Sequence, residues 1–320
     1  MEIKQAIITG FMGKLRDRFC EYHEEKTPKE KIAAVGQIKG AKGVEIVFPY
    51  ECQDMEGIKD TLQKYDLGVA AVNANIKGEP EFISGSSSVN SKKIRDRAIQ
   101  IIRGAMDAAA ELGADKVTCC PLSDGYDYLF QVDYREAWKH MVSTFKEAAG
   151  HRTDIRLFLE YKGSETRVHC FLDSAPKTIC MIRDIDEPNL GVTIDVGHSL
   201  FIGETPAESL CLAQASGIPY YMHINDNDRK WDWDLIPATR NLWDYLELFF
   251  YLKEFNYQGW VTSDMSPVRV DPVRAFERTI ATTEKVIHIV NNLDSERLFS
   301  MMGEGKTLET LAWLEENVLR

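Results

Sequence analysis

Eight times along this 320-residue chain, a short and nearly continuous apolar run is followed by a longer amphipathic stretch. The runs are Gln5–Phe11, Gly43–Phe48, Gly68–Ala74, Lys116–Cys120, Ile155–Tyr161, Leu190–Asp195, Tyr220–Ile224 and Gly259–Asp264. A strand that is apolar at successive positions is covered on both faces, which places it in a parallel sheet flanked by helices. The intervening stretches carry helix signals. Thr27-Pro28, for example, offers an N-cap followed by proline at the first helical position, and that helix reads to about Ile38. Eight such units fit a closed (β/α)8 TIM barrel better than an open doubly wound sheet, so the expected class is α/β with a C-terminal helical extension. No G-x-G-x-x-G follows an early run, and no G-x-x-x-x-G-K-[ST] occurs. A prior of roughly 150 residues per domain points to two domains, but the unbroken repetition overrides it. The expectation is one domain over residues 1–320, with the barrel to about 285 and a helical tail over about 286–320.

Charge and cysteine usage narrow the function classes. The formal net charge is −12, the wrong sign for displacing counterions from a nucleic-acid backbone. No apolar stretch approaches the 18 or so residues of a membrane span, and the first residues carry no cleavable signal pattern. The seven cysteines form no C-x-x-C pair, which reads as reduced thiols in a cytoplasmic protein. The adjacent Cys119 and Cys120 read as two residues of a buried strand.

Barrel active sites form at the C-terminal ends of the strands, so polar residues closing an apolar run are informative. The fifth run ends in Leu159-Glu160-Tyr161-Lys162, the sixth in Asp195-Val196-Gly197-His198, the seventh in Met222-His223-Ile224 and the eighth in Ser263-Asp264. Glu160, Asp195, His223 and Asp264 therefore come from four successive strands to one rim. Three carboxylates and an imidazole at one point need a cation. The oxygen-rich set suits Mn²⁺, the first expectation, or Mg²⁺, and its single nitrogen also admits Co²⁺ or Zn²⁺. A second group lies nearby in sequence. In Trp231-Asp232-Trp233-Asp234, alternate carboxylates of an extended chain point the same way, so His198, Asp232 and Asp234 are candidates for a second cation. Asp226 and Asp228 compete for that role.

At these residues the sequence resembles the xylose-isomerase-like superfamily of metal-dependent sugar isomerases and epimerases, closely over strands five to eight and in topology before them. Within it, the pattern is more similar to L-rhamnose isomerase than to the ketose 3-epimerases, whose last ligand is a glutamate where this chain has Asp264. The resemblance implies metal ligation by Glu160, Asp195, His223 and Asp264, and a second metal at His198, Asp232 and Asp234. It also implies an aldose–ketose interconversion with Glu160, Lys162, His198 and Asp264 in catalytic roles, Lys162 hydrogen-bonding the carbonyl oxygen. Arg229, Glu45 and Trp231 are candidates for contacting the sugar. The alternatives are a ketose epimerase, an enzyme eliminating the aglycone of a 3-oxo-glycoside, or a sugar-binding barrel without turnover. A free sugar is preferred because no glycine-rich phosphate loop follows strands seven or eight. The resemblance also implies a homo-oligomer, dimer or tetramer, with neither nucleic acid nor membrane as partner.

Overall fold

In the computed structural model, which describes every residue except Glu2 and Arg320, the eight apolar runs become eight parallel strands. They are β1 (Lys4–Ile8), β2 (Gly43–Phe48), β3 (Gly68–Ala74), β4 (Lys116–Cys119), β5 (Arg156–Glu160), β6 (Leu190–Asp195), β7 (Tyr220–Ile224) and β8 (Trp260–Ser263). Each pairs with its neighbours in sequence, and β8 returns to β1 with Lys4 opposite Trp260, closing a TIM barrel. Closure leaves no sheet edge unpaired, and the helices cover the outside, so continuous apolar sequence is buried on both faces.

The helices on the outside are α1 (Pro28–Val35), α2 (Met55–Lys64), α3 (Lys92–Glu111), α4 (Tyr134–Ala149), α5 (Ala175–Ile185), α6 (Val196–Ile202), α7 (Pro206–Ala215), α8 (Leu242–Glu254) and α9 (Pro272–Asn291). Thr27 does cap α1: its hydroxyl accepts from Glu30 N–H, and the Glu30 carboxylate accepts from Thr27 N–H at 2.7 Å. Such a box contributes on the order of 1 kcal/mol. The tail adds α10 (Ser295–Gly303) and α11 (Thr307–Val318). Lys253 of α8 ties this tail down by donating to the carbonyls of Val290 and Leu293 and to the Ser295 hydroxyl, at 3.0–3.3 Å. Reaching across to the end of α9, this lysine satisfies carbonyls that have no partner within that helix.

Three departures from the sequence reading have local causes. The first run stops being a strand at Ile8, because Thr9–Met12 forms a 3₁₀ turn whose Thr9 hydroxyl donates to the Glu45 carbonyl at 3.0 Å. Helix α6 follows β6 with no connecting loop, since Asp195 is both the last strand residue and the cap that accepts from His198 N–H at 2.8 Å. The loops after β4 and β5 pair as a small antiparallel sheet of Gly125–Tyr126, Val168–Cys170 and Ser164–Glu165.

The serine-rich loop after β3 is anchored from inside. The buried Asp124 carboxylate accepts from the backbone N–H groups of Ser86, Ser87 and Ser88 and from the hydroxyls of Ser86 and Ser88, at 2.6–3.0 Å. Successive N–H groups converging on one point form an anion-binding nest. Here the anion is the protein's own side chain, and it locks two loops of the barrel mouth together.

Candidate metal centre

Alternation along the strands decides which residues meet inside the barrel. Side chains two apart share a face, so Phe158 and Glu160, Thr193 and Asp195, Tyr221 and His223, and Thr262 and Asp264 are stacked pairs. The lower layer is apolar where Ala71, Phe158 and Tyr221 pack as a small buried cluster. The upper members converge. Glu160, Asp195, His223 and Asp264 each offer a ligand atom, and these atoms all lie within 4.8 Å of one another. The strand register produces this, with Asp195 directly opposite His223 and Thr193 opposite Glu160.

One imidazole nitrogen is prepared as a ligand. His223 Nε2 lies 3.0 Å from the buried Glu45 carboxylate, which accepts its N–H and so leaves the Nδ1 lone pair free. Nδ1 sits 3.3 Å from an oxygen of Glu160 and 3.3 Å from one of Asp264, yet without the alignment of a hydrogen bond. A fully buried, unpartnered ring nitrogen facing two carboxylates is what a divalent cation at this point requires. Glu45 is itself fixed: Tyr221 and Thr118 donate their hydroxyl hydrogens to it at 3.1 and 2.5 Å, and Asn73 donates at 3.3 Å. Asn225 does the same for Asp195, donating to its two oxygens at 3.2 and 3.0 Å.

The cluster's electrostatics lead to the same conclusion. Burial works against every charge here, and without a cation the side chains compensate by sharing protons. Burial alone would lower His223, but the Glu45 and Glu160 carboxylates outweigh it and hold the imidazole well above its ordinary range. Burial pushes the Asp195 carboxyl up to about 7, with Asp264 and Glu160 adding repulsion. Glu160 goes the other way: burial opposes its ionisation, but the charges of His223 and His198 keep it below the usual carboxylate range. The side chain of Asp264 is 19% exposed, whereas those of Asp195, His223 and Glu160 are at most 3%. Asp264 is thus the member of the cluster that opens towards the mouth.

The second group is arranged differently. His198 lies between Glu160, 3.1 Å from its Nδ1, and Asp232, 3.2 Å from its Nε2. Lys162 places its ammonium 2.9 Å from the same Asp232 oxygen and also bonds Glu165. The carboxylate expected to hold a second cation already has one. Among the described residues His198, Asp232 and Asp234 do not gather as a ligand cluster; Cys120, Glu160 and His198 do. Asp226 is committed to its own loop, accepting from the backbone of Arg240 and from the Asn241 side chain, and Asp228 accepts from Trp233 Nε1.

The three candidates for contacting a sugar are placed differently. Glu45 is fully buried beneath His223, where it orients a ligand. Arg229 turns outward, donating to Asp244 at 2.6 Å and Asn241 at 3.1 Å. Trp231 packs edge-on against Phe201 of α6 with ring centroids 5.4 Å apart. The residues that sequence reasoning passed over are Asn225 and Cys120. Cys120 had one usable signal: it stands two places beyond Thr118, whose hydroxyl faces the barrel interior.

A family model described as xylose isomerase-like TIM barrel matches residues 32–298. Among curated relatives, the xylose isomerase of Thermus thermophilus is 24% identical over 244 residues, 73% of this chain; the chain spans 63% of that protein's length. Among solved structures, a D-tagatose 3-epimerase-like protein aligns with a TM-score of 0.70 at 22% identity, covering 90% of this chain and 98% of its own. The 3-keto-D-glucoside 4-epimerase YcjR from E. coli aligns with a TM-score of 0.68 at 18% identity, covering 88% of this chain and 99% of its own. At these identities the structural likeness is one of fold.

Proposed function

The chain belongs to the xylose isomerase-like TIM barrel family, and from that premise we propose that it is a divalent-metal-dependent sugar epimerase. It would remove and return a proton at a carbon beside the carbonyl of a ketose or a 3-oxo sugar. The observation that supports this reading over aldose–ketose isomerisation is the Lys162 ammonium on Asp232, one of the carboxylates that a second metal would need.

Glu160, Asp195, His223 and Asp264 would hold the ion, Mn²⁺ first among the candidates. When bound, a divalent cation polarises the sugar carbonyl as a Lewis acid and makes the neighbouring C–H easier to ionise. The chain's own groups supply the rest. Lys162 has three N–H donors; Glu165 and Asp232 engage two, which leaves one for the oxygen on which charge develops. Asp264, the most exposed of the three carboxylates, is assigned to proton transfer on the mouth side. Glu160 comes from β5, three strands away from β8 around the barrel, and is assigned to the other face of the sugar. His198 stands between Glu160 and Asp232, its two nitrogens facing those two carboxylates, and holds the Glu160 side chain in place.

The test is a panel of free ketoses and 3-oxo sugars incubated with the Mn²⁺-loaded protein in D₂O, with products identified by NMR. Epimers carrying solvent deuterium at the inverted carbon are expected. An aldose–ketose pair that keeps its original hydrogen would overturn the reading in favour of a hydride shift. Binding of a sugar with no product would favour a barrel that does not turn over.

A further inference from the structure

Glu160 divides its two oxygens between two nitrogens. Oε2 lies 3.3 Å from His223 Nδ1, within the four-residue cluster, and Oε1 lies 3.1 Å from His198 Nδ1 on the other side. His198 Nδ1 is buried and, like His223 Nδ1, has no hydrogen-bond partner among the described residues. Cys120 completes this outer group. Its thiol sulfur, a Glu160 oxygen and a His198 nitrogen all lie within 4.8 Å of one another.

The chain places that thiol here for a reason that can be read from β4. Cys119 packs into the main apolar core, whereas Cys120 stands outside it, on the same face as Thr118, whose hydroxyl bonds Glu45 inside the barrel. Of the adjacent cysteines, one is therefore a core residue and the other faces the site.

We infer that Cys120, Glu160 and His198 form a second cation site, sharing Glu160 with the first, that takes a thiophilic ion such as Zn²⁺ or Co²⁺ and discriminates against Mn²⁺ and Mg²⁺. The inference rests on the reading of the four-residue cluster as a metal site. Sulfur, nitrogen and one carboxylate oxygen are three protein ligands, the number a four-coordinate zinc site uses when its fourth position stays open. Binding forms a metal–sulfur bond and releases the thiol proton to solvent. Hard ions gain little from sulfur, so they are left in the oxygen-rich neighbour. Glu160 would serve both sites, since one of its oxygens faces His223 and the other faces His198.

The experiment loads the full chain with Mn²⁺, removes the excess and titrates with Co²⁺ while recording the near-ultraviolet spectrum. A thiolate-to-cobalt charge-transfer band that grows to one equivalent is expected. It should vanish in Cys120→Ser and persist in a variant with the exposed Cys20 and Cys180 changed to serine. His198→Asn, which keeps the thiol, should weaken the Co²⁺ that gives the band at least about tenfold. That variant carries the test if Cys120→Ser fails to fold. No band at saturating Co²⁺, or an unchanged band in Cys120→Ser, would overturn the inference. Failure of Mn²⁺ to bind at all would instead strike the four-residue site on which it rests.

Discussion

Replacing Glu160 with glutamine is expected to lower Mn²⁺ affinity by about 10²–10³-fold and to remove turnover with it. The magnitude follows from what the side chain does. Glu160 is buried, and its carboxylate faces two imidazole nitrogens, at 3.3 and 3.1 Å. Glutamine preserves the volume but deletes the negative charge and turns one acceptor into an N–H donor. Loss of one partner from a buried charge group costs about 3–5 kcal/mol, and each 1.4 kcal/mol is about a factor of ten in binding. Calorimetric titration of the wild-type and variant proteins with Mn²⁺ measures it. A variant that binds Mn²⁺ as tightly as the parent would mean that Glu160 is not a ligand.

The second large effect is expected at a residue that never touches the ion. Glu45→Gln should leave the barrel folded but weaken Mn²⁺ binding by about 10–100-fold, the usual consequence of losing a carboxylate behind a metal-binding histidine. The physical route is the tautomer. Glu45 accepts the Nε2–H of His223 at 3.0 Å, which keeps Nδ1 unprotonated and facing Glu160 and Asp264. A glutamine can present its NH₂ to Nε2 as readily as its oxygen, so the proton is no longer held on that nitrogen. The measurement also separates two roles for Glu45. If it contacts the sugar, the variant raises KM while metal affinity stays as it was. If it orients His223, metal affinity falls first, and saturating Mn²⁺ restores part of the activity.

The fold was legible because barrel strands are buried on both faces, and that condition writes continuous apolar runs such as Leu190–Asp195 directly into the sequence. The short elements were not. Helix α6 has no N-terminal boundary residue of its own, because its N-cap is also a strand residue and a member of the four-residue cluster. At the site, strand-end position located Glu160, Asp195, His223 and Asp264, since the C-terminal rim of a parallel barrel is a place that sequence order predicts. Loop residues carry no such constraint. Arg229 sits in left-handed backbone (φ 62°) and pairs with Asp244 of α8, a direction that spacing from His223 does not encode. Lys162 and Asp232 lie 70 residues apart, and only the closed barrel brings them to 2.9 Å. Glu45 was visible as an acid inside the apolar run Gly43–Phe48, but whether it faces a sugar or a histidine depends on strand register.

The most direct test of the account is the number of Mn²⁺ ions bound tightly per chain, counted from the electron paramagnetic resonance of free Mn²⁺ during titration of the metal-free protein. One ion is expected, lost on Glu160→Gln and retained on Asp234→Asn. Two tightly bound Mn²⁺ ions, with the second removed by Asp234→Asn, would contradict it. That result would mean that Lys162 yields Asp232 to a metal and that the site has the two-cation form of an isomerase.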